Sequence, residues 1–230
     1  MEYKNIIKAK FIERPNRFIA VCDINGKEER VHVKNTGRCK ELLVKGAEVF
    51  LEESDNAERK TKYSLVSVYK GDNLVNMDSQ VPNVMVYEAL KEGRIAEIGV
   101  PDVVKREVKY GSSRFDIYFE EGERKGFIEV KGVTLENDGV AAFPDAPTER
   151  GTKHINELIT AKKEGYEAYI FFAVQMKKVN ELIPNGKTDP DFAEAIKRAY
   201  AAGVGVIAYD SVVDENSIKM DKPIPVKNIE

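Results

Sequence analysis

Apolar and polar positions in the first 80 residues alternate in short runs, at 6–12, 18–24, 30–33, 47–52, 64–69 and 74–77. Turn signals separate them, at Arg14-Pro15-Asn16, Asn25-Gly26, Ser54-Asp55-Asn56 and Gly71-Asp72-Asn73. Runs of this length with period two read as half-buried strands. Asn25-Gly26 supplies the two positive φ angles of a tight hairpin. This many short strands in 80 residues predict a small closed barrel, and the segment 37–43 reads as the helix-capped connection of an OB-like fold.

The pattern changes near Val81-Pro82. Asn83 reads as the cap of a helix running to about Glu92, with Gly93 ending it. Three strand-like runs follow, at 103–110, 114–119 and 126–133, then a helix at 148–163 and an apolar strand at 168–174. A helix at 190–202 and a strand at 204–209 come last. Apolar strands alternating with helices imply a sheet covered on both faces. The chain therefore divides into an OB-like β-barrel over 1–80 and an α/β (α+β) domain over 81–230. Disorder is expected only at the C-terminal tail.

On the second and third of those strands sit Asp116 and Glu129-Val130-Lys131. Side chains two apart on a strand share a face, so Glu129 and Lys131 project together, and a short hairpin brings Asp116 beside them. Two carboxylates and an ammonium suit metal-assisted phosphodiester chemistry, because Mg²⁺ is commonly bound through one or two carboxylates, waters and a substrate phosphate. In a chain that is 33% charged, Glu-x-Lys arises by chance, and an edge with cross-strand ion pairs is the plainer reading. The apolar residues around both acids argue against that, because a buried acid needs a partner or a cation.

The grouping is the signature of the PD-(D/E)xK nucleases, and the order α-β-β-β-α-β resembles the core of the restriction-endonuclease-like fold. A closer resemblance is carried by Asn35-Thr-Gly-Arg-Cys-Lys-Glu-Leu-Leu43, Ser113-Arg-Phe-Asp116, Ile128-Glu-Val-Lys-Gly-Val-Thr134, Phe143-Pro-Asp-Ala-Pro-Thr-Glu-Arg-Gly-Thr-Lys-His154 and Asn156-Glu-Leu158. Together these look like the sugar fermentation stimulation protein A family, across the whole chain. The resemblance implies an OB-like domain joined to a PD-(D/E)xK nuclease-like domain, with DNA as the partner and a link to regulation of maltose metabolism. It implies Asp116, Glu129, the Val130 carbonyl and Glu88, the acid on the first helix, as ligands of Mg²⁺ or Mn²⁺. Lys131 then completes a catalytic set with Glu88, Asp116 and Glu129. The alternative is a DNA-binding regulator that keeps the scaffold without cutting. Hydrolysis of a small phosphate ester ranks last, since no Gly-rich phosphate loop is present.

Arg150, Lys153 and His154 fall in the first turns of the helix at 148–163, where backbone N–H groups favour anions; they are candidate phosphate contacts. The plainer reading makes Thr148 a simple N-cap and His154 a packed core histidine. In the barrel, Arg14, Arg17, Arg38 and Lys40 are the candidate DNA contacts, and the aromatic residues read mainly as core.

Charge changes the picture little. The net charge of −3 does not advertise a nucleic-acid partner. Residues 1–80 hold 15 Lys+Arg against 13 Asp+Glu, a balance of +2, and residues 81–230 hold 21 against 26, a balance of −5. Any footprint on DNA must be local. Two cysteines and two histidines indicate neither a zinc cluster nor a disulfide framework. With no long apolar run and no signal core, the expectation is a cytoplasmic protein without a membrane partner. A homodimer is left open, the strand at 204–209 being either an internal strand or an interface.

Overall fold

The computed structural model describes residues 1–35 and 37–230; Thr36, within the motif at 35–43, lies outside the described residues. Strands β1 (Ile6–Asn16), β2 (Ile19–Ile24), β3 (Lys27–Val33), β4 (Glu48–Glu53) and β5 (Tyr63–Lys70) pair in the order β3-β2-β1-β4-β5. β3 pairs back onto β5 in parallel, so the sheet closes on itself as a five-stranded barrel. The period-two pattern is the cause. Ala20, Cys22, Val31, Val33, Val49, Leu51 and Leu65 all turn into the barrel and are buried. Asn25 and Gly26 both take positive φ, and the Asp23 carboxylate accepts the Gly26 N–H at 2.6 Å. β6 (Asn73–Asn76) returns along β5. The expected helix at 37–43 is not formed; its described residues make successive turns held by Leu42 and Leu43 N–H groups on the Cys39 carbonyl.

The second domain is built on a six-stranded mixed sheet. Helix α1 (Val81–Lys91) leads into β7 (Val103–Tyr110), β8 (Ser113–Glu121) and β9 (Arg124–Val133), a meander. A small sheet of β10 (Glu136–Asn137), β11 (Val140–Phe143) and β13 (Glu181–Pro184) escaped the sequence reading because its strands are short. Helix α2 (Glu149–Lys163), β12 (Glu167–Val174), α3 (Pro190–Ala201), β14 (Gly205–Val213) and β15 (Ile218–Ile224) complete the order β15-β14-β12-β9-β8-β7. β12 runs parallel to both β9 and β14. It is covered on both sides, which explains its unbroken apolar run: Ile170, Phe172 and Val174 pack with α2 and α3, and Phe171 and Ala173 with α1.

Two expectations fail here. Asn83 does not cap α1; the helix begins at Val81 after Gln80, with Pro82 in its first turn, and Asn83 lies inside it. The C-terminal tail is not disordered, because β15 pairs antiparallel with β14. That pairing makes β14 internal and covers an apolar edge. Among the described residues, no helix is long and apolar enough to cross a membrane.

Barrel and sheet share one core cluster, and a buried polar chain links them. Asn76 donates to the Tyr3 hydroxyl at 2.9 Å, and its Oδ1 accepts from Gln175 Nε2 and from the Asp78 N–H, each at 3.0 Å. All three side chains are essentially buried. Removing Asn76 strands three partners, so Asn76→Ala should cost about 2–4 kcal/mol. Urea denaturation of that variant should keep a single transition for both domains; two separated transitions would contradict a shared core.

Candidate metal and phosphate site

The site begins where a ladder ends. β8 and β9 are paired from Glu121↔Arg124 to Ile117↔Ile128, and beyond that point the strands part. Asp116 fills the gap. Its Oδ2 accepts the Val130 N–H at 2.8 Å and its Oδ1 accepts Asn83 Nδ2 from α1 at 2.7 Å. The backbone donor that pairing would have used is thus satisfied by a carboxylate.

On β9, Glu129 and Lys131 share a face, and Glu129 Oε1 accepts the Lys131 ammonium at 2.6 Å. The same oxygen meets Nδ1 of His154. An ionised carboxylate only accepts, so His154 presents Nδ1–H to it. His154 is carried there by the amphipathic pattern of α2, whose buried stripe is Gly151, His154, Ile155, Leu158 and Ala161. Thr148 is the N-cap, accepting the Gly151 N–H at 3.1 Å. Glu129 itself is 3% exposed, and its Oε2 is buried without a hydrogen-bond partner among the described residues.

The two acids are driven apart. Burial, reinforced by the negative charge of Glu129, pushes Asp116 up to about 6, against the pull of the Val130 N–H, Lys131 and Asn83. Burial also opposes the charge on Glu129, but His154 and Lys131 outweigh it and hold that carboxyl below the usual range. One carboxylate is fixed as an anion and its neighbour sits near its titration point.

Above the acids opens a cleft of about 600 Å³, with Asp116 and His154 on its floor and Lys109, Arg114, Arg150 and Lys153 on its walls. Arg150, Lys153 and Glu157 follow one stripe of α2, and Lys153 is 3.9 Å from Glu157. Arg114 is 3.2 Å from Glu107. The local balance is basic although the chain is net acidic, which is the arrangement a phosphate needs. The fully buried, unpartnered Glu129 Oε2, next to a second carboxylate and the Val130 backbone, fits a hard cation that takes oxygen ligands. Among the described residues, no group of three or more His, Cys, Asp or Glu side chains forms a complete cage. The donor set therefore suits an ion that keeps waters or substrate oxygens.

The candidates sort as follows. Asp116, Glu129, Val130 and Lys131 converge, and Arg150 and Lys153 face the cleft above them. Glu88 does not join them; its carboxylate pairs with the Met1 ammonium at 3.1 Å. Five residues along α1 is 140° around the helix from Asn83, so Glu88 turns to the N-terminus while Asn83 takes the position facing Asp116. His154 is spent on Glu129 rather than on a phosphate. Arg14 is also spent, donating to the carbonyls of Arg17, Asn35, Gly37 and Arg38 at 2.6 to 2.9 Å. It clamps the loop after β3 to the β1–β2 hairpin. Arg17, Arg38 and Lys40 are exposed on that clamp, and the Arg38 N–H bonds Asp145 Oδ2 at 3.1 Å. The sequence reading missed Asn83, Lys109 and Arg114. Arg114 was detectable, because it stands two residues before Asp116 on a strand, and Lys109 is its cross-strand partner.

Residues 12–77 match the family described as the SfsA N-terminal OB domain, and residues 80–217 match the sugar fermentation stimulation protein RE domain. Among curated relatives, the sugar fermentation stimulation protein homolog of Clostridium beijerinckii is 54% identical over 222 residues, 96% of each chain. That of Desulfitobacterium hafniense is 52% identical over 230 residues, the whole of both chains. Among solved structures, Pyrococcus furiosus SfsA in complex with Ca²⁺ has a TM-score of 0.89 and 28% identity, covering 99% of this chain and 98% of that one.

A folded-state pKa above the ordinary 3.8 means that the folded protein holds the Asp116 proton more tightly than the unfolded chain does. Ionising Asp116 therefore costs stability, and the cost grows as pH rises from about 4 to about 6 and is complete above. In EDTA at pH 7, Asp116→Asn should raise the stability of the protein by about 1–3 kcal/mol, and at pH 4 by almost nothing. Equal or lower stability of the variant at pH 7 in urea melts would contradict this electrostatic account.

Proposed function

The chain belongs to the sugar fermentation stimulation protein family, and we propose that it is a DNA-binding, divalent-metal-dependent nuclease that hydrolyses phosphodiester bonds. The observation that carries this is the buried, unpartnered oxygen of Glu129 beside Asp116, under a basic cleft. Ca²⁺ in the Pyrococcus furiosus relative supports a site for a hard cation in the same architecture.

Asp116, Glu129 and the Val130 carbonyl would hold Mg²⁺ or Mn²⁺. Such an ion, when bound, polarises a phosphodiester and lowers the pKa of a coordinated water. The other residues divide the remaining work. Lys131, 2.6 Å from Glu129, orients the attacking water and supplies positive charge near the developing phosphorane. His154 locks Glu129 in one orientation, and Asn83 does the same for Asp116. Arg150, Lys153, Lys109 and Arg114 hold the DNA backbone without reading bases. The exposed Arg17, Arg38 and Lys40 extend that contact onto the barrel.

The test is a cleavage assay on duplex, single-stranded and branched DNA with Mg²⁺, Mn²⁺ or EDTA. Asp116→Ala should abolish cleavage, and Lys131→Ala should slow it about a hundredfold or more while retaining DNA binding. Glu88→Gln should cleave at the wild-type rate. DNA binding by the wild type without cleavage under any metal would replace the nuclease by a binding regulator. Because the cation requires both carboxylates ionised, its affinity should fall as pH drops through about 6; pH-independent affinity would contradict the ligand assignment.

A further inference from the structure

A second cavity, of about 150 Å³, lies at the junction of the barrel and the sheet, one residue along β9 from Lys131. Asn35 and Ser79 line it from the barrel side, and Gly132, Thr134, Phe143 and Gln175 from the other. It sits at the carboxyl ends of the parallel strands β9 and β12, the place where open α/β sheets bind ligands. Nothing in the proposed chemistry at Asp116 and Glu129 uses it.

Gln175 makes this cavity more than a gap between domains. The side chain is 1% exposed, and its orientation is fixed because Nε2 donates to Asn76 Oδ1 and to the Asp78 carbonyl, both at 3.0 Å. Its Oε1 accepts no hydrogen bond among the described residues. That oxygen faces Gly132, where a Cβ would lie 2.6 Å from it and 2.7 Å from Pro82. Glycine is what lets Gln175 and Pro82 pack this closely on β9. The bordering carboxylate of Asp145 is a further acceptor, and among the described residues no Lys or Arg lines the cavity. A phosphate is therefore unsuited to it, whereas a neutral group that donates N–H bonds meets an acceptor whose side chain is held in one orientation at the cavity wall. Phe143 adds an aromatic surface at the wall.

Resting on the DNA-cleaving reading above, we infer that this junction cavity receives one base of an unpaired DNA strand, a base presenting an exocyclic amino group to Gln175 Oε1. The strand's phosphates then pass over the neighbouring basic cleft. Enzymes that act on unpaired strands read a splayed base in this way, through its hydrogen-bonding edge and an aromatic or apolar wall. Room for one base excludes a stacked pair, so the substrate class is single-stranded DNA or a junction that supplies a single strand.

The test compares short dC and dT homo-oligomers, which carry equal charge but offer an amino group or a carbonyl at the same ring position. Binding is measured by fluorescence anisotropy in EDTA, with full-length wild type and Ala142→Leu. Ala142 lines the cavity, and the larger side chain fills it without touching Gln175's hydrogen bonds. The expected result is dC bound roughly fivefold more tightly than dT by wild type, with that ratio falling to about one in Ala142→Leu and dT affinity retained. Equal wild-type affinities, or a ratio unchanged in Ala142→Leu, would overturn the inference and leave a nuclease that grips only the backbone. Failure of wild type to bind either oligomer or any duplex would remove the DNA-binding reading as well. If Ala142→Leu loses its thermal transition, the wild-type ratio alone decides.

Discussion

A negative charge at Glu129, inside a sheet and all but sealed from water, is the constraint around which the second domain of this molecule is arranged. Burying a carboxylate is costly unless partners compensate for the lost water. Lys131 and His154 provide that compensation at one oxygen, and the other is left bare. The site consequences follow from this asymmetry. His154 must lie on the buried stripe of α2, so α2 must cross this part of the sheet. Asp116 must stay within electrostatic reach, so β8 must leave the ladder at Ile117. The resulting pair holds one fixed charge and one group raised to about 6, whose ionisation above that pH lowers the stability of the folded protein.

The barrel is fixed to the second domain by packing and hydrogen bonds rather than through the carboxylate pair. Arg14 spends four hydrogen bonds holding the loop after β3, and that loop reaches Asp145 through the Arg38 N–H. Gly37 is required there because a Cβ would collide with the Asp145 carboxylate. Asn76, Gln175 and Asp78 tie the last barrel strand to the end of β12. Both connections converge on the junction cavity, which Gly37, Asp145 and Gln175 line.

Much of this was legible in the residues. Period-two alternation gave the barrel strands, and the apolar runs gave β9 and β12, because both depend on local sequence. Asp116, Glu129 and Lys131 were legible from strand geometry alone, since residues two apart share a face. What depended on longer range was not. Glu88 and Asn83 occupy one helix, and the choice between them turns on which side of α1 packs on the sheet. Arg14 looked like a free base because its carbonyl acceptors belong to backbone brought in from residues 17 to 38. The strand β15 reads as a polar tail with alternating Lys and Asp, and it orders only because β14 offers an unpaired edge.

The central claim is that Asp116 and Glu129 together bind one divalent cation. Calorimetric titration of Mn²⁺ into wild type and Glu129→Gln at pH 7.5 tests it most directly. The account predicts saturable binding by wild type, and a loss of at least about tenfold in affinity in the variant, which keeps the shape of the side chain but not its charge. Equal affinity in the two proteins would contradict it.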